Sequence, residues 1–284
     1  MNNKMVSGLF FSAILLFISC QTVSFKSPAG YNLKEPQITT LKESLHEISG
    51  ISFLNNKPDT IYAINDEDGK LFYFGLQNKK PPYVKFGKPG DYEDLTIAEN
   101  KIIILKSDGD LFAFDVQNVN AEKIDSPVIT KGAIPKNEYE GLYADSLNKL
   151  YVLCKNCKGD KPSMFVKVYR LSGNPAGNFT ADAIFHIDVP SIKQLIHEEK
   201  LSFHPSAFAI HPITKQWYIL SSVNKLLVIT DPDFKVKEAY KLKPNLFRQP
   251  EGIAFDKGGN LYVSNEGRDE DADILFFKYQ PPAR

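Results

Sequence analysis

The sequence has few of the residues and motifs on which the common enzyme classes depend. It holds three cysteines and five histidines among 284 residues, and no histidines are paired at a zinc-binding spacing. It also contains no Gly-x-Ser-x-Gly elbow, no P-loop and no His-Glu-x-x-His motif. The signatures of α/β-hydrolases, P-loop nucleotidases and zincin proteases are therefore excluded.

An excess of charge of one sign is also missing. The 34 basic residues balance the 34 acidic residues, so no overall field attracts nucleic acid or a membrane surface. No stretch alternates lysine with aromatic residues in the way typical of single-strand binding. We expect a monomer without a nucleic-acid partner.

Long hydrophobic runs are absent except near the N-terminus. Lys4 precedes an apolar run over residues 9–18, which is too short to serve comfortably as a membrane-spanning helix. The run ends in Phe17-Ile-Ser-Cys20, which resembles the lipobox of bacterial lipoproteins. The pattern predicts a lipoprotein signal peptide over residues 1–20 and a linker over residues 21–30.

The predicted lipidation site is Cys20, at the end of this segment. Several acyl chains would hold the protein firmly, because each buried methylene contributes about 0.8 kcal/mol to membrane binding. The protein would then be a membrane-anchored lipoprotein of the bacterial cell envelope. Ordinary signal cleavage, with Cys20 incidental, is the alternative.

What the remaining sequence does contain is a repeat. A short apolar strand opens five times with a similar signature, at a spacing of about 45 residues apart from one longer interval, and such a period is typical of propeller blades. The copies are Ser49-Gly50-Ile51, Glu93-Asp94-Leu95, Glu140-Gly141-Leu142, Ser206-Ala207-Phe208 and Glu251-Gly252-Ile253.

Each signature is followed by two more apolar runs rich in β-branched and aromatic residues, as expected of strands. We predict an all-β protein with a single β-propeller domain over residues 31–284, most simply with five blades. Six blades are the alternative if the long interval hides another. The last blade lacks a strand, and pairing it with the segment at residues 31–41 would close the ring. Within the long interval, Ser191 and the residues after it predict a short capped helix.

The first strand of a propeller blade borders the central channel, so the signature positions should converge on one ring. That ring would contain Ser49, Glu93, Glu140, Ser206 and Glu251. Two carboxylates about 8 Å apart repel by about 2 kcal/mol at an effective dielectric constant of about 20, so three of them favour a compensating cation. Glu93, Glu140 and Glu251 are therefore candidate ligands of calcium or another divalent ion. Alternatively, each glutamate accepts hydrogen bonds from adjacent backbone amides and only organises the blade.

A second polar ring is predicted where the second strands end. All five strands change there from apolar to polar residues, and the candidate binding residues are Asn65, Asp66, Lys106, Lys155, Ser222, Asn265 and Glu266. Lys106 and Lys155 could partner the glutamates directly. Such pairing would weaken the case for a metal and favour a small anionic ligand.

Cys154 and Cys157 form the other notable pair. A local disulfide is plausible in an oxidising envelope. Residues three apart in an extended strand are about 10 Å apart, so a disulfide requires the chain to turn just after Cys154. Free thiols and a metal or redox function are the alternatives.

The repeat motifs together resemble the SdiA-regulated (YjiK-like) family of bacterial envelope β-propellers. The resemblance extends over about residues 31–279, and its main motifs are Leu45-His-Glu-Ile-Ser-Gly-Ile51, Tyr139-Glu-Gly-Leu142, His204-Pro-Ser-Ala207 and Pro250-Glu-Gly-Ile-Ala-Phe-Asp256. Membership implies a propeller in the cell envelope and implies no established catalytic activity.

Three functions remain open from the sequence. The leading hypothesis is a non-catalytic, lipid-anchored protein that binds an ion, a small ligand or an envelope protein through the channel. The second is a metal-dependent hydrolase of the lactonase or phosphatase type that uses a carboxylate-bound cation. The third is a scaffold for other envelope proteins. Fold alone does not separate them, because propellers host both enzymes and binding modules.

Overall fold

The structure, a computed structural model, describes residues 25–78, 80–159, 161–173 and 179–282. The predicted signal peptide and its lipidation site, Cys20, lie outside these residues. The described chain forms β1 (Gln37–Thr40), β2 (Ile48–Phe53), β3 (Ile61–Asn65), β4 (Lys70–Phe74), β5 (Tyr83–Lys85), β6 (Tyr92–Ala98), β7 (Lys101–Lys106), β8 (Leu111–Asp115), β9 (Val128–Thr130), β10 (Glu138–Ala144), β11 (Leu150–Asn156), β12 (Phe165–Ser172), β13 (Thr180–Asp188), α1 (Val189–Ile196), β14 (Ala207–Ile210), β15 (Trp217–Ser221), β16 (Leu226–Thr230), β17 (Val236–Lys241), β18 (Pro250–Phe255), β19 (Leu261–Asn265) and β20 (Asp273–Phe277).

The strands form five antiparallel sheets of four strands each, and the first strand of every sheet contacts the first strands of its neighbours. This is a five-bladed β-propeller, as predicted, and a sixth blade is not present in the described chain. Blades 1 to 4 are β2-β3-β4-β5, β6-β7-β8-β9, β10-β11-β12-β13 and β14-β15-β16-β17. Blade 5 is β18-β19-β20-β1.

The ring closes through the N-terminal strand. β1 pairs antiparallel with β20, so that Gln37 lies opposite Phe276 and Thr40 lies opposite Asp273. The last blade therefore receives its fourth strand from the start of the domain, which confirms the predicted closure and leaves no blade one strand short.

The blades stack through apolar side chains on both faces of each sheet, which explains why their strands are almost continuously apolar. The junction of blades 3 and 4 is an example. The Trp217 ring stacks on Phe208 and Phe234, with ring centroids 4.9 and 4.8 Å apart, and Tyr143 meets it edge-on. Offset and edge-on aromatic contacts of this kind add to the stabilisation that burial provides.

The long interval between the third and fourth signatures contains a strand and a helix. β13 completes blade 3 with nine residues, and α1 follows it directly. The predicted helix is therefore present, but it begins two residues before Ser191. Its N-cap is Asp188, whose carboxylate accepts hydrogen bonds from the Ser191 amide at 2.8 Å and from the Ser191 hydroxyl at 2.6 Å. No helix within the described residues is long and apolar enough to cross a membrane.

The described part of the predicted linker packs against the propeller. The Leu33 amide donates to the Ser27 hydroxyl at 2.9 Å, and the Gln280 amide donates to the Gly30 carbonyl at 2.8 Å. The Tyr31 hydroxyl donates to the Gly259 carbonyl, and the Tyr31 ring contacts those of Tyr218, His211 and Tyr279. Tyr31 therefore fastens the N-terminal segment between blades 4 and 5.

Truncating the Tyr31 side chain should destabilise the closed propeller. We expect Tyr31→Ala to lower the free energy of unfolding by about 3–5 kcal/mol, as for other buried aromatic residues, because the ring contacts disappear. Tyr31→Phe keeps the ring and removes one hydrogen bond, so it should cost about 1 kcal/mol. Urea unfolding measures both values, and equal losses in the two variants would contradict this role of the ring.

Candidate functional site at the mouth of the central channel

The signature residues occupy β-bulges at the start of the innermost strands. Tyr92 lies opposite Lys106 and Asp94 lies opposite Leu105, so Glu93 is an extra residue in β6. The same register shift makes Glu140 and Glu251 the extra residues of β10 and β18. A bulged residue is left out of the regular pairing and its side chain is re-aimed. Here the three glutamates are turned towards the channel.

Blades 1 and 4 carry related irregularities. Ile48 lies opposite Asn65 and Ile51 lies opposite Ala63, so Ser49 and Gly50 occupy the space of one residue in the partner strand. In blade 4 the Ser206 amide donates to the Leu220 carbonyl at 2.9 Å, although Leu220 is already the partner of Ala207. All five signatures therefore depart from regular strand pairing at the same place.

The glycine of the signature is required by close packing between blades. A Cβ atom on Gly252 would lie 2.5 Å from the Ser49 carbonyl oxygen, and one on Gly50 would lie 2.7 Å from the Asp94 Cα. Real Cβ atoms do not approach backbone so closely. The Glu-Gly pair thus has two functions, since the glutamate faces the channel and the glycine lets the next blade approach.

A cavity of about 280 Å³ lies where these side chains meet. It opens on the face at which the first strands begin and the second strands end, which we call the mouth face. Its lining residues are Ser49, Asp66, Asp91, Glu93, Glu138, Glu140, Lys155, Gln249, Glu251 and Glu266. Seven of them carry carboxyl groups and one carries an ammonium group, which leaves six negative charges if all are ionised.

Lys155 neutralises one side of the cavity. Its Nζ atom is 2.7 Å from Glu140 Oε1 and 3.5 Å from Glu138 Oε1. Burial raises the pKa of Glu140 to about 7, although Lys155 opposes that effect. Burial alone would lower the pKa of Lys155, but the Glu140 carboxylate more than offsets it and the pKa is raised. The predicted lysine–glutamate pairing is therefore present for Lys155.

Among the described residues, no lysine or arginine forms a salt bridge with Glu93 or Glu251. Burial, and then the nearby Glu140 and Asp91, raise the pKa of Glu93 to about 10. Burial also raises the pKa of Glu251, against the hydrogen bond from Ser222. These side chains retain protons that an ordinary glutamate loses, because negative charge is concentrated and partly buried.

Asp66 and Glu266 extend this acidic region between blades 1 and 5. Burial and the nearby Glu47 raise the pKa of Glu266 to about 8 and that of Asp66 to about 6. The Asp66 Oδ1 atom is buried and has no hydrogen-bond partner among the residues that the structure describes. A buried acceptor without a donor is costly, so this oxygen is available to a donor that enters the cavity.

The structure does not bring all the predicted site residues into the cavity. Ser206 donates through its hydroxyl to the Pro250 carbonyl at 2.7 Å and accepts from the Ser222 amide at 3.2 Å, which links blades 4 and 5. Ser222 donates a hydrogen bond to Glu251 and is not among the lining residues. Lys106 is absent from the lining residues.

Asn65 and Asn265 lie beside the cavity and hold the turns after their own strands. Asn65 Nδ2 donates to Asp68 at 3.3 Å, and Asn265 Nδ2 donates to Asp273 at 2.8 Å. Polar residues at the ends of the second strands therefore have two different roles. Asp66, Lys155 and Glu266 face the cavity, whereas these asparagines organise loops.

The sequence analysis missed four residues of this region, namely Asp91, Glu138, Gln249 and Asp94. Asp91, Glu138 and Gln249 line the cavity and lie two positions before a signature glutamate, so the repeat itself carried a usable signal. Asp94 takes the glycine position of the signature. Its carboxyl group is buried and accepts from the Leu142 amide of blade 3 at 2.7 Å and from the Leu95 amide at 2.8 Å. Asp94 thus joins two blades, and burial raises its pKa.

The predicted metal ligands share the cavity without forming a coordination set. Glu93, Glu140 and Glu251 all line it, yet in the described ranges no three Asp, Glu, His or Cys side chains are arranged to hold a metal ion. Glu140 is already paired with Lys155. Calcium is therefore not supported by preformed geometry.

Cys154 and Cys157 are joined by a disulfide, with their Cα atoms 5.9 Å apart. The sequence predicted that a disulfide would need a turn just after Cys154. The structure has no turn there, and β11 continues to Asn156. Instead, Tyr139 lies opposite Cys154 and Glu138 lies opposite Asn156, so Lys155 is an extra residue on β11. The bulge brings the cysteines together and places Lys155 inside the disulfide loop.

Family comparison agrees with the repeat motifs. The model of the SdiA-regulated family matches residues 28–268, most of the chain. The chain belongs to the SdiA-regulated family. No protein of curated function matches this member of the family.

Solved structures similar to this SdiA-regulated protein are propellers of distant sequence. Glutaminyl cyclase from Myxococcus xanthus has a TM-score of 0.57 and 14% identity, and the match covers 86% of this chain and 95% of the cyclase. A luciferin-regenerating enzyme has a TM-score of 0.54 and 9% identity, with the same two coverages. At these identities the similarity shows the fold alone.

The raised carboxyl pKa values predict stability that decreases with increasing pH. A carboxyl group with a higher pKa in the folded chain favours the folded state below its unfolded pKa, and this contribution is lost as the pH rises through the folded pKa. Because the unfolded values are near 4 and the folded values run up to about 10 for Glu93, the melting temperature should fall between about pH 4 and pH 10. Glu93→Gln should flatten the fall and add about 1 kcal/mol or more of stability at pH 9. Glu122→Gln, at an exposed position away from the cavity, is the control, and equal profiles for both variants would contradict the assignment.

The disulfide predicts a second stability effect. Closing so short a loop stabilises the fold by about 2 kcal/mol in the chain-entropy description, so the double variant Cys154→Ser, Cys157→Ser should lose about that much. Dithiothreitol should destabilise the wild type in urea unfolding and leave the variant unchanged. A reductant effect of the same size on both proteins would show that the bond contributes nothing.

Proposed function

We propose that this SdiA-regulated protein is a non-catalytic, lipid-anchored binding protein of the bacterial cell envelope whose channel mouth takes up a small cationic ligand. The observation that carries the proposal is the charge of the cavity, in which seven carboxyl groups surround one lysine. A cation would satisfy groups that otherwise keep protons or repel one another.

The electrostatics of the lining favour a cation over an anion. Lys155 is the lysine that could hold an anion in this cavity, and it is already bound to Glu140 at 2.7 Å. Glu93, Glu251, Asp66 and Glu266 lie in the same lining without a salt bridge between described residues. A ligand that brings a positive charge exchanges it for protons on these carboxyl groups, so binding should release protons.

The size and geometry favour an organic cation over a bare metal ion. A volume of about 280 Å³ lies at the lower end of small-ligand pockets, which begin at about 300 Å³. It is much larger than a metal ion needs, and its carboxylates are not gathered into a coordination set. A primary ammonium or guanidinium group offers several N–H donors in different directions, which suits oxygens that lie around a ring, including the unpartnered Asp66 Oδ1.

Two serine hydroxyls beside the mouth have structural partners. Ser206 donates to the Pro250 carbonyl at 2.7 Å, and Ser221 donates to the His204 carbonyl at 2.6 Å. Both hydroxyls are engaged in joining structural elements, and neither is hydrogen-bonded to a general base in the described structure.

Calorimetry with small cations tests the proposal. We expect the purified protein to bind ethylammonium, putrescine or guanidinium more tightly at pH 8 than at pH 6, with proton release into the buffer, because protons compete for the same carboxyl groups. Glu251→Gln should weaken binding at least about tenfold, since a charge-assisted hydrogen bond contributes about 1.5–3 kcal/mol. Glu122→Gln should leave it unchanged.

The same titrations separate the alternatives. Stoichiometric binding of calcium that Glu251→Gln abolishes, without binding of any amine, would support the metal-dependent alternative and call for a panel of lactones and phosphoesters. Binding of neither class would overturn the proposal and leave the scaffold hypothesis. Anchoring is tested separately, since the mature wild-type protein should carry acyl chains and Cys20→Ala should carry none.

A further inference from the structure

The N-terminal segment ends on the mouth face. Phe25, the first described residue, lines a hollow of about 630 Å³ together with Leu201, Val223 and Leu242. Leu201 precedes β14, Val223 lies in the turn between β15 and β16, and Leu242 follows β17. These positions belong to the same end of the sheets as the acidic cavity, in the sector of blade 4.

The path of residues 25–31 along the propeller explains why Phe25 lies on the mouth face. Tyr31 contacts Gly259 in the turn between β18 and β19, which lies on the face opposite the mouth. The chain therefore passes from the opposite face at Tyr31, along the junction of blades 4 and 5, to the mouth face at Phe25. Hydrogen bonds between Ser27 and Leu33 and between Gly30 and Gln280 hold this segment against the propeller.

The length of the remaining tether limits how the anchored protein can be oriented. Five residue steps separate Cys20 from Phe25, and an extended chain spans at most about 3.6 Å per residue, or about 18 Å in total. A blade is itself about as tall, because its strands have about five residues at about 3.3 Å each. A lipid on Cys20 therefore lies within about 18 Å of Phe25 on the mouth face, and the opposite face reaches the bilayer only if the tether is fully extended along the side of a blade.

The surface around the hollow has the chemistry of a membrane contact. Lys200, Lys225 and Lys241 line it with Glu198, which is paired with Lys241 at 2.5 Å. The Lys225 ammonium donates to the Arg248 carbonyl at 2.6 Å, and the hollow keeps a net charge of two positive units. Exposed apolar side chains lie on the same face, at Met164 before β12, at Leu195 on α1 and at Val223. Basic residues next to an anionic bilayer contribute about 1 kcal/mol each, and exposed apolar residues add to that by burial in the interface.

We propose that the mouth face of blades 3 and 4 rests on an anionic lipid bilayer, so that the acidic cavity opens towards the membrane surface. This inference depends on the lipid anchor of the proposed function and is independent of which cation the cavity binds. Ligands would then enter along the membrane surface, where cations accumulate next to anionic headgroups.

Site-specific fluorescence tests the orientation. The full lipidated chain carrying Val223→Cys or Ile213→Cys is labelled with an environment-sensitive dye and reconstituted into vesicles of phosphatidylcholine and phosphatidylglycerol. The two positions are similarly exposed, at 68% and 54%, and Ile213 lies on the opposite face. Since Cys154 and Cys157 are joined in a disulfide, each variant offers one new thiol.

We expect spin-labelled lipids to quench the dye at position 223 at least about fivefold more than the dye at position 213. Lys200→Glu should reduce this difference, whereas Lys57→Glu, on the opposite face, should not. Equal quenching at the two positions, or stronger quenching at 213, would overturn the orientation. A mature chain whose mass shows no acyl group would overturn the anchor and this inference together, and neither result depends on the calorimetry of cation binding.

Discussion

The bulge that opens each innermost strand is the constraint on which the mouth of the channel depends. An extra residue at this position turns a side chain out of the sheet, and the fivefold arrangement brings such side chains to one axis. The small residue that follows allows the next blade to approach. Glu251 and Gly252 show both effects in adjacent positions, so the shape of the cavity and the packing of the blades have one common origin.

The balanced charge of the whole chain conceals a strongly uneven local distribution. The protein has equal numbers of acidic and basic residues, yet one lysine faces seven carboxyl groups in the lining of the cavity. The five-bladed scaffold tolerates this because part of the charge is removed by protonation and part is paired with Lys155. In the proposed function, a bound cation would restore the stability that this concentration of negative charge removes.

Much of the fold and part of the site could be predicted from the repeat. Equivalent positions in a propeller must be equivalent in space, so Glu93, Glu140 and Glu251 were placed at the channel by register alone. The repeat could not separate cavity residues from turn-forming ones, because a strand that ends in Asn65 has the same polarity as one that ends in Lys155. The role of Asp94 was also hidden, since its two amide partners, one of them in the next blade, exist only after the blades have packed.

The pairing of β1 with β20 joins segments more than 230 residues apart in the chain. The pairing cannot form until both segments have been synthesised, so a ribosome-bound chain that lacks β20 exposes an incomplete sheet. Contacts between such distant segments form slowly because loop closure opposes them. The circular architecture thus delays closure, since the fifth blade is complete only after β20 has paired with β1.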